Sequence, residues 1–532
     1  MTTFFLILVG TVILLCIWLN NLSSRIGIPT LLTFIVLGMF FSNNGIVPLH
    51  FEDYDFAKET CTVALIFIMF YGGFGTRWDA AKPIVREATL LASVGVVLTA
   101  GLTGLFCRFV LSWGWVESFL MGSVISSTDA ASVFSILRAK KLGLKNNTAP
   151  MLEVESGSND PFSYMLTVLM ISLLNGSASG GSIAWMLFAQ LVFGAGFGWL
   201  IAKISIYAIK RLNFPTSGFD SLFVFAVALF SYAVPSLVGG NGYLSTYIVG
   251  MMLGNCTFKG KKNMVGFFDG LTGLMQVLVF FLLGLLARPA LMVKVLLPAV
   301  LIFFFILLFA RPCSVYLILI PFRKFMMKQK ALVSFVGLRG ASSIVFAIFA
   351  TVSDGVVHND ILNIVFCIVL LSISLQGYFI PFMARKLDMI DKDADVMKTF
   401  SDFSEETELI FSEVSVPSQW DGKKVKDVAF PVDILICKCM APDGTETVPN
   451  GDTVFNAGDK LIVCSQACVG KHSMRLSEKT VSKGSKNIGK TIKEYAVGTG
   501  QILLIQRGQE NIIPRGDTVL MEGDRIFYNH DY

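Results

Sequence analysis

Charge is scarce in this chain. Lys, Arg, Asp and Glu make up 15% of its 532 residues, hydrophobic residues make up 54%, and mean hydropathy is +0.67. Soluble domains carry about 25% charged residues, so a soluble globular protein is excluded and the chain reads as a polytopic membrane protein. Histidine is nearly absent: the four, at 50, 358, 472 and 530, sit in loops or the tail and show no ligand spacing. Ten cysteines include the pairs Cys437-x-Cys439 and Cys464-x3-Cys468, but no zinc-knuckle turn lies between them, and they read as strand residues. Free Cys in a tail fits a reducing compartment. No nucleophile-and-base pairing points to an enzyme, and no metal beyond a transported ion is expected. Nothing indicates a nucleic-acid partner.

What is present is repeated apolar runs. About 20 apolar residues are needed to cross ~30 Å of hydrocarbon. Thirteen such stretches are expected, at roughly 3–21, 28–42, 60–76, 88–112, 117–138, 148–174, 183–209, 219–239, 242–257, 264–287, 293–320, 330–352 and 360–384. The first lacks a basic leader region and a small-residue cleavage site, so it is read as a mature helix rather than a signal peptide.

Orientation follows from basic residues, which stay on the cytoplasmic side. Alternate loops carry Arg25; Arg77, Lys82 and Arg86; Arg138, Lys140, Lys141 and Lys145; Lys210 and Arg211; Lys259, Lys261 and Lys262; and Arg323, Lys324, Lys328 and Lys330. Intervening loops are nearly bare of them, with Arg288 and Lys294 the main exceptions. The N-terminus is therefore expected outside and everything after Arg385 in the cytoplasm. The lack of a targeting segment suits a bacterial inner membrane.

At Arg385 the composition changes: 385–532 hold 19 basic against 23 acidic residues, whereas 1–384 hold 24 against 15. The tail also repeats itself. Val448-Pro449-Asn450-Gly451-Asp452-Thr453-Val454-Phe455-Asn456-Ala457-Gly458-Asp459-Lys460-Leu461 returns, 65 residues on, as Ile513-Pro514-Arg515-Gly516-Asp517-Thr518-Val519-Leu520-Met521-Glu522-Gly523-Asp524-Arg525-Ile526. Upstream, Gly422-Lys423-Lys424-Val425-Lys426-Asp427 is echoed by Gly489-Lys490-Thr491-Ile492-Lys493-Glu494, each read as a short helix-like opening before β-branched strand runs. The expected organisation is a transmembrane domain over 1–384, a linker over 385–407, and two α+β units over 408–470 and 471–532.

The Pro-x-Gly-Asp-Thr turn followed by Gly-Asp and an apolar strand resembles the C-lobe of RCK domains, the TrkA-C domain. The resemblance implies a ligand-sensing, dimerising module, with a regulatory nucleotide such as cyclic di-AMP as a candidate ligand. No Gly-x-Gly-x-x-Gly opens a βαβ unit after residue 385, so nicotinamide nucleotides are not expected and no cofactor is assigned. A structural dimerisation tail without ligand is the bland alternative.

Carboxylates at bilayer depth cost about 2.5 to 3.5 kcal/mol each on insertion scales, so they mark function. The fifth span contains Ser126-Ser127-Thr128-Asp129-Ala130-Ala131-Ser132, where hydroxyls compete for backbone hydrogen bonds and favour unwinding. The sixth carries Glu153-Val154-Glu155-Ser156-Gly157-Ser158-Asn159-Asp160-Pro161, with Glu155, Ser156, Asn159 and Asp160 on one face about 140° wide. Glu153 is read as facing another side of that helix, at an interface. The twelfth carries Gly337-Leu338-Arg339-Gly340-Ala341-Ser342-Ser343, whose Arg needs a buried anionic partner. Arg311, before Pro312, has two open readings, in a pathway or paired with a carbonyl at a kink.

Together these strings resemble the NhaP-type branch of the monovalent cation:proton antiporters, over essentially all of 1–384. That family's fold, with inverted repeats and two crossed broken helices, is implied for the fifth and twelfth spans. The resemblance further implies that Asp160 binds proton and cation in turn, and that Asp129, Ser156 and backbone near Thr128 complete the shell. It implies that Asn159 holds the unwound segment, and that Glu155 pairs with Arg339. A homodimer is also expected. Where many relatives place an acid before Gly-Gly in the third span, this chain has Tyr71-Gly72-Gly73.

The exchange logic stands without the family. A carboxylate in low dielectric favours its proton and a bound cation opposes it, so one site holds one or the other. One titrating Asp beside an Asn predicts one proton per ion and an electroneutral cycle. Hard oxygen ligands suit potassium, sodium or lithium. A channel would need a carbonyl filter such as Thr-Val-Gly-Tyr-Gly, which does not occur. An ion-coupled organic-solute symporter of inverted-repeat architecture is the alternative, and a receptor would leave Asp129 and Asp160 unexplained.

Overall fold

A computed structural model describes residues 7, 9–19, 30–43, 49, 51–140, 142–176, 180–212, 218–256, 258, 261–353, 357–391, 409–417, 419–428, 435–442, 445–466, 476–481, 488–494, 502–507, 510–512, 514 and 516–529. The chain divides into two compact units, Met1–Ser404 and Glu405–Tyr532.

The first unit is helical. Its helices are α1 (Val9–Leu19), α2 (Thr30–Phe40), α3 (Tyr54–Gly75), α4 (Val85–Phe109), α5 (Trp115–Ile125), α6 (Ala130–Ala139), α7 (Thr148–Leu174), α8 (Gly180–Arg211) and α9 (Phe219–Leu237). They continue as α10 (Gly242–Gly254), α11 (Lys261–Leu286), α12 (Pro289–Phe305), α13 (Arg311–Leu319), α14 (Met327–Phe335), α15 (Ala341–Val352), α16 (Ile361–Leu371) and α17 (Gly377–Lys386). Each of the thirteen expected apolar stretches holds one of these helices or a broken pair. By length and composition, eight helical stretches among the described residues are able to cross a membrane, and Val9–Leu19, Leu31–Phe40 and Ala341–Val352 are shorter apolar helices. Helix α3 begins six residues earlier than its apolar run, because Asp53 caps it by accepting from the Phe56 amide at 2.9 Å.

Helices in lipid gain little from apolar burial against one another, so small residues let backbones approach instead. A Cβ on Gly250 or Gly254 of α10 would strike the carbonyl oxygens of Phe70 and Phe74 on α3, and one on Gly38 of α2 would strike backbone of α11.

Two interruptions matter most. Residues 126–129 separate α5 from α6, and 336–340 separate α14 from α15. The extended segments meet where the Asp129 amide donates to the Leu338 carbonyl at 2.8 Å. Gly340 is required there, since a side chain on it would collide with Asp129. Two π-helical turns, Ile306–Ala310 before α13 and Ser372–Gln376 before α17, lie on neighbouring helices.

Beyond α17 the chain folds back on the first unit, although 385–407 was expected to be linker throughout. Strand β2 (Ile390–Asp391) pairs antiparallel with β1 (Gly143–Leu144) in the loop between α6 and α7. The Lys145 amide donates to the Met389 carbonyl at 2.9 Å, and Lys145 Nζ meets Asp388 Oδ1 at 3.1 Å. Met389 is buried in the cluster that also holds Leu137, Met151, Leu152 and Leu338.

Among the described residues, the second unit contains two four-stranded antiparallel sheets of the same order. The first is β3 (Leu409–Ser415), β6 (Lys460–Gln466), β4 (Leu435–Met440) and β5 (Glu446–Thr447), and the second is β7 (Leu476–Thr480), β10 (Arg525–Asn529), β8 (Ile502–Arg507) and β9 (Glu510–Ile512). The internal repeat explains this identity. Val416 donates to the Asp459 carbonyl as Val481 does to that of Asp524, and Gly458 and Gly523 share a left-handed φ. The expected helix-like opening is in the first copy a single 3-10 turn, Val425–Asp427. Cys437 and Cys439 lie on β4, whereas Cys468 lies outside the described residues.

Candidate functional site

The crossing of the two broken helices creates four helix ends inside the unit, each with unsatisfied backbone groups. Asp129 is the residue before α6, and its carboxylate accepts from the amide (3.1 Å) and hydroxyl (2.5 Å) of Ser132. It therefore caps the positive end of that half-helix. Arg339 does the converse for α5: its Nη1 donates to the carbonyls of Ser126 (2.8 Å) and Ser127 (2.7 Å), where the helix dipole is negative. The Arg339 amide in turn donates to Ser372 Oγ in one of the π turns, and Gln376 of that turn donates to the Phe335 carbonyl.

Asp160, nine-tenths buried, projects from α7 into this crossing. The Ser127 hydroxyl, from the first break, donates to its Oδ1, and Ser342, in the first turn of α15, donates to its Oδ2 at 2.6 Å. One carboxylate is thus held by both interrupted helices. Ser156, one turn earlier, accepts from the Ala130 amide and donates to the Thr128 carbonyl, each at 2.8 Å. Asn159 donates to Thr128 Oγ1 at 2.5 Å. Asp160, Ser156, Thr128 and Asp129 all line one cavity of about 200 Å³.

Asn159 is buried and holds Thr128 in the unwound segment. Glu155 is not joined to Arg339 in an ion pair. Its Oε1 lies 2.5 Å from Nη2 of Arg311, with both side chains at most 5% exposed. The reason is axial position: the π turn before Arg311 adds a residue to its helix and brings the guanidinium to α7, while Arg339 is spent on the carbonyl ends of α5. Arg311, read from sequence as lying in a pathway or paired with a carbonyl at a kink, has the Glu155 carboxylate as its ion-pair partner.

Contrary to the sequence reading, Glu153 does not face away from the site. It lines the same cavity as Asp160, together with Tyr71 and Gln276. Seven residues separate the two carboxylates, two helical turns, which returns to within about 20° of the same direction. That spacing was the available signal. Ser127 and Ser342 were missed as partners of Asp160 because each is one of several serines in its string, and only the crossing selects it. Tyr71 donates to Asp269 of α11 at 3.3 Å.

The geometry has counterparts. A family model described as sodium/hydrogen exchanger, transmembrane, matches residues 10–386, and one described as TrkA-C domain matches 411–467 and 476–527. The K(+)/H(+) antiporter NhaP2 of Shewanella baltica is 32% identical over 459 residues, 84% of this chain and 78% of that one. The K(+)/H(+) antiporter NhaP of Alkalimonas amylolytica is 31% identical over 486 residues, 90% of this chain and 84% of that one. In fold, the chain is similar to the sodium proton antiporter MjNhaP1 from Methanocaldococcus jannaschii at pH 8, with a TM-score of 0.62 and 24% identity over 71% of this chain and 97% of that one.

Proposed function

The chain belongs to the sodium/hydrogen exchanger family, and from that premise we propose that it exchanges potassium, or sodium, for protons one for one, with Asp160 carrying each in turn. The observation that carries this is the placement of Asp160 in the cavity, between Ser127 and Ser342 of the two interrupted helices. Protonated, its carboxyl is neutral and suits an apolar surrounding. Ionised, it offers a charge that a dehydrating cation replaces the proton on, helped by the Ser156 hydroxyl and the Thr128 carbonyl close by. Asp129 lies at the same cavity but has both oxygens engaged by Ser132, so it acts through the α6 end rather than as a second proton carrier. A single carrier supports an electroneutral cycle. Potassium is preferred over sodium because NhaP2 of Shewanella baltica and NhaP of Alkalimonas amylolytica, both K(+)/H(+) antiporters, are similar over 84% and 90% of this chain, and the organic-solute symporter reading is set aside.

We further propose a homodimer in a bacterial inner membrane, with the N-terminus outside because basic residues fill the loops on the side where the tail emerges. The tail is a ligand-sensing module, with cyclic di-AMP as the ligand to test first by calorimetry on the purified protein; no heat at high micromolar nucleotide removes it.

Purified protein in liposomes with a pH-sensitive dye inside tests the exchange. Potassium or sodium, but not choline, dissipates an imposed pH gradient, and Asp160→Asn abolishes this in a folded protein because an amide cannot cycle a proton. Exchange by the mutant at the native rate removes Asp160 from the mechanism. A membrane potential clamped with valinomycin under sodium gradients leaves the native rate unchanged, and voltage dependence defeats the one-proton cycle.

A further inference from the structure

The cavity that holds Asp160 has a further carboxylate in its lining. Glu153, half-buried, lines it two turns nearer the Lys140–Lys145 loop, on the same face of α7 as Asp160. Tyr71, Gly72 and Gly75 from the last turns of α3, and Gln276 of α11, line it too. At seven residues and 1.5 Å each, the carboxylates are roughly 10 Å apart along the helix. That is too far for one shared ion and close enough for one field.

We propose that Glu153 is a cation-capturing residue of the exchange reaction, the carboxylate that draws a monovalent cation into the cavity and hands it toward Asp160. The physical ground is focusing: a cleft with low-dielectric walls and one sign of charge concentrates counter-ions and raises their on-rate by about tenfold or more. Glu153 lines the same cavity as Tyr71 and Gln276, whose side-chain oxygens are able to replace part of the ion's hydration. Asp160, held by two serine hydroxyls at the inner end, then takes the ion in exchange for its proton. Glu155, two residues on, takes no part, since it faces Arg311 on the other side of α7.

The inference rests on the exchange reading, and the test separates the two. Everted membrane vesicles expose the cytoplasmic face of the full chain, and dequenching of a pH-gradient dye is followed while KCl or NaCl is titrated. Glu153→Gln raises the apparent KM for the cation about three- to tenfold at low ionic strength with Vmax within about twofold, a gap that narrows in 150 mM choline chloride because added salt screens the field. Glu153→Asp restores most of the native KM. An unchanged KM in Glu153→Gln overturns the proposal, and so does a fall in Vmax at constant KM, which marks a merely structural side chain. If the native vesicles dissipate no gradient, or Asp160→Asn matches them, the exchange reading itself fails.

Discussion

At the scale of single residues, charge inside this unit is settled by what each group can reach. Asp129 and Arg339 were legible as buried charges in the sequence, but their reading as a coordinating acid and an ion-pair partner was incomplete. Both are committed to half-helix ends that exist only once the helices break. Glu155 then finds Arg311, which the sequence placed only as an Arg before a Pro. A pair this buried leaves an uncompensated charge when one member is removed. Arg311→Ala is therefore expected to cost about 3 to 5 kcal/mol, read as lost thermal stability of the purified protein in detergent. Adding Glu155→Ala to it should restore part of the loss, with a coupling of about 1 to 3 kcal/mol. Strictly additive losses would show that the two do not act as a pair.

At the scale of elements, the helices were largely readable because apolar runs of about 20 residues have few alternatives. Their breaks were readable from hydroxyl- and glycine-rich strings, but not which breaks meet, since that depends on three-dimensional crossing. Glycine is where local pattern and packing part most clearly. Gly250 and Gly101 are both mid-helix, yet a Cβ on the first meets the Phe70 carbonyl oxygen and one on the second meets nothing within 4 Å. Gly101→Ala should be neutral or stabilise by about 0.5 to 1 kcal/mol through helix propensity. Gly250→Ala should destabilise by about 1 to 3 kcal/mol, because α3 and α10 must move apart. Thermal unfolding of the two variants side by side checks this, and equal midpoints would mean the backbones are not in contact.

At the scale of the whole molecule, the repeat announced two similar tail halves, and the common strand order follows from it. What it did not announce is their electrostatic difference. Asp524 is fully buried and accepts from Arg507 Nε at 2.8 Å and Nη2 at 2.9 Å, whereas its counterpart Asp459 meets Asn456 and Cys439. Burial raises the Asp524 pKa, but the Arg507 hydrogen bonds, the Met521 amide and the Arg507 charge together hold it below the usual carboxylate value. Its stabilisation is thus complete above about pH 4, the unfolded value, and is lost as pH falls through the lower folded value. In the 405–532 unit expressed alone, Arg507→Leu should cost about 3 kcal/mol at neutral pH, at the low end for buried pairs because Arg507 is 29% exposed. It should also flatten the acid dependence below pH 4, and a native-like acid profile in the variant would clear the pair of that role. The same scale governs where the chain can be cut. Because Met389 fills the cluster beneath α6, α7 and Leu338, and β2 pairs with β1, truncation after Asp391 should leave exchange and stability near those of the full chain. Truncation after Lys386 removes the buried Met389 side chain and the ladder, and should cost about 2 kcal/mol or more, seen as a lower melting temperature in detergent. Equal melting temperatures for the two truncations would show that the strap contributes nothing to the membrane unit.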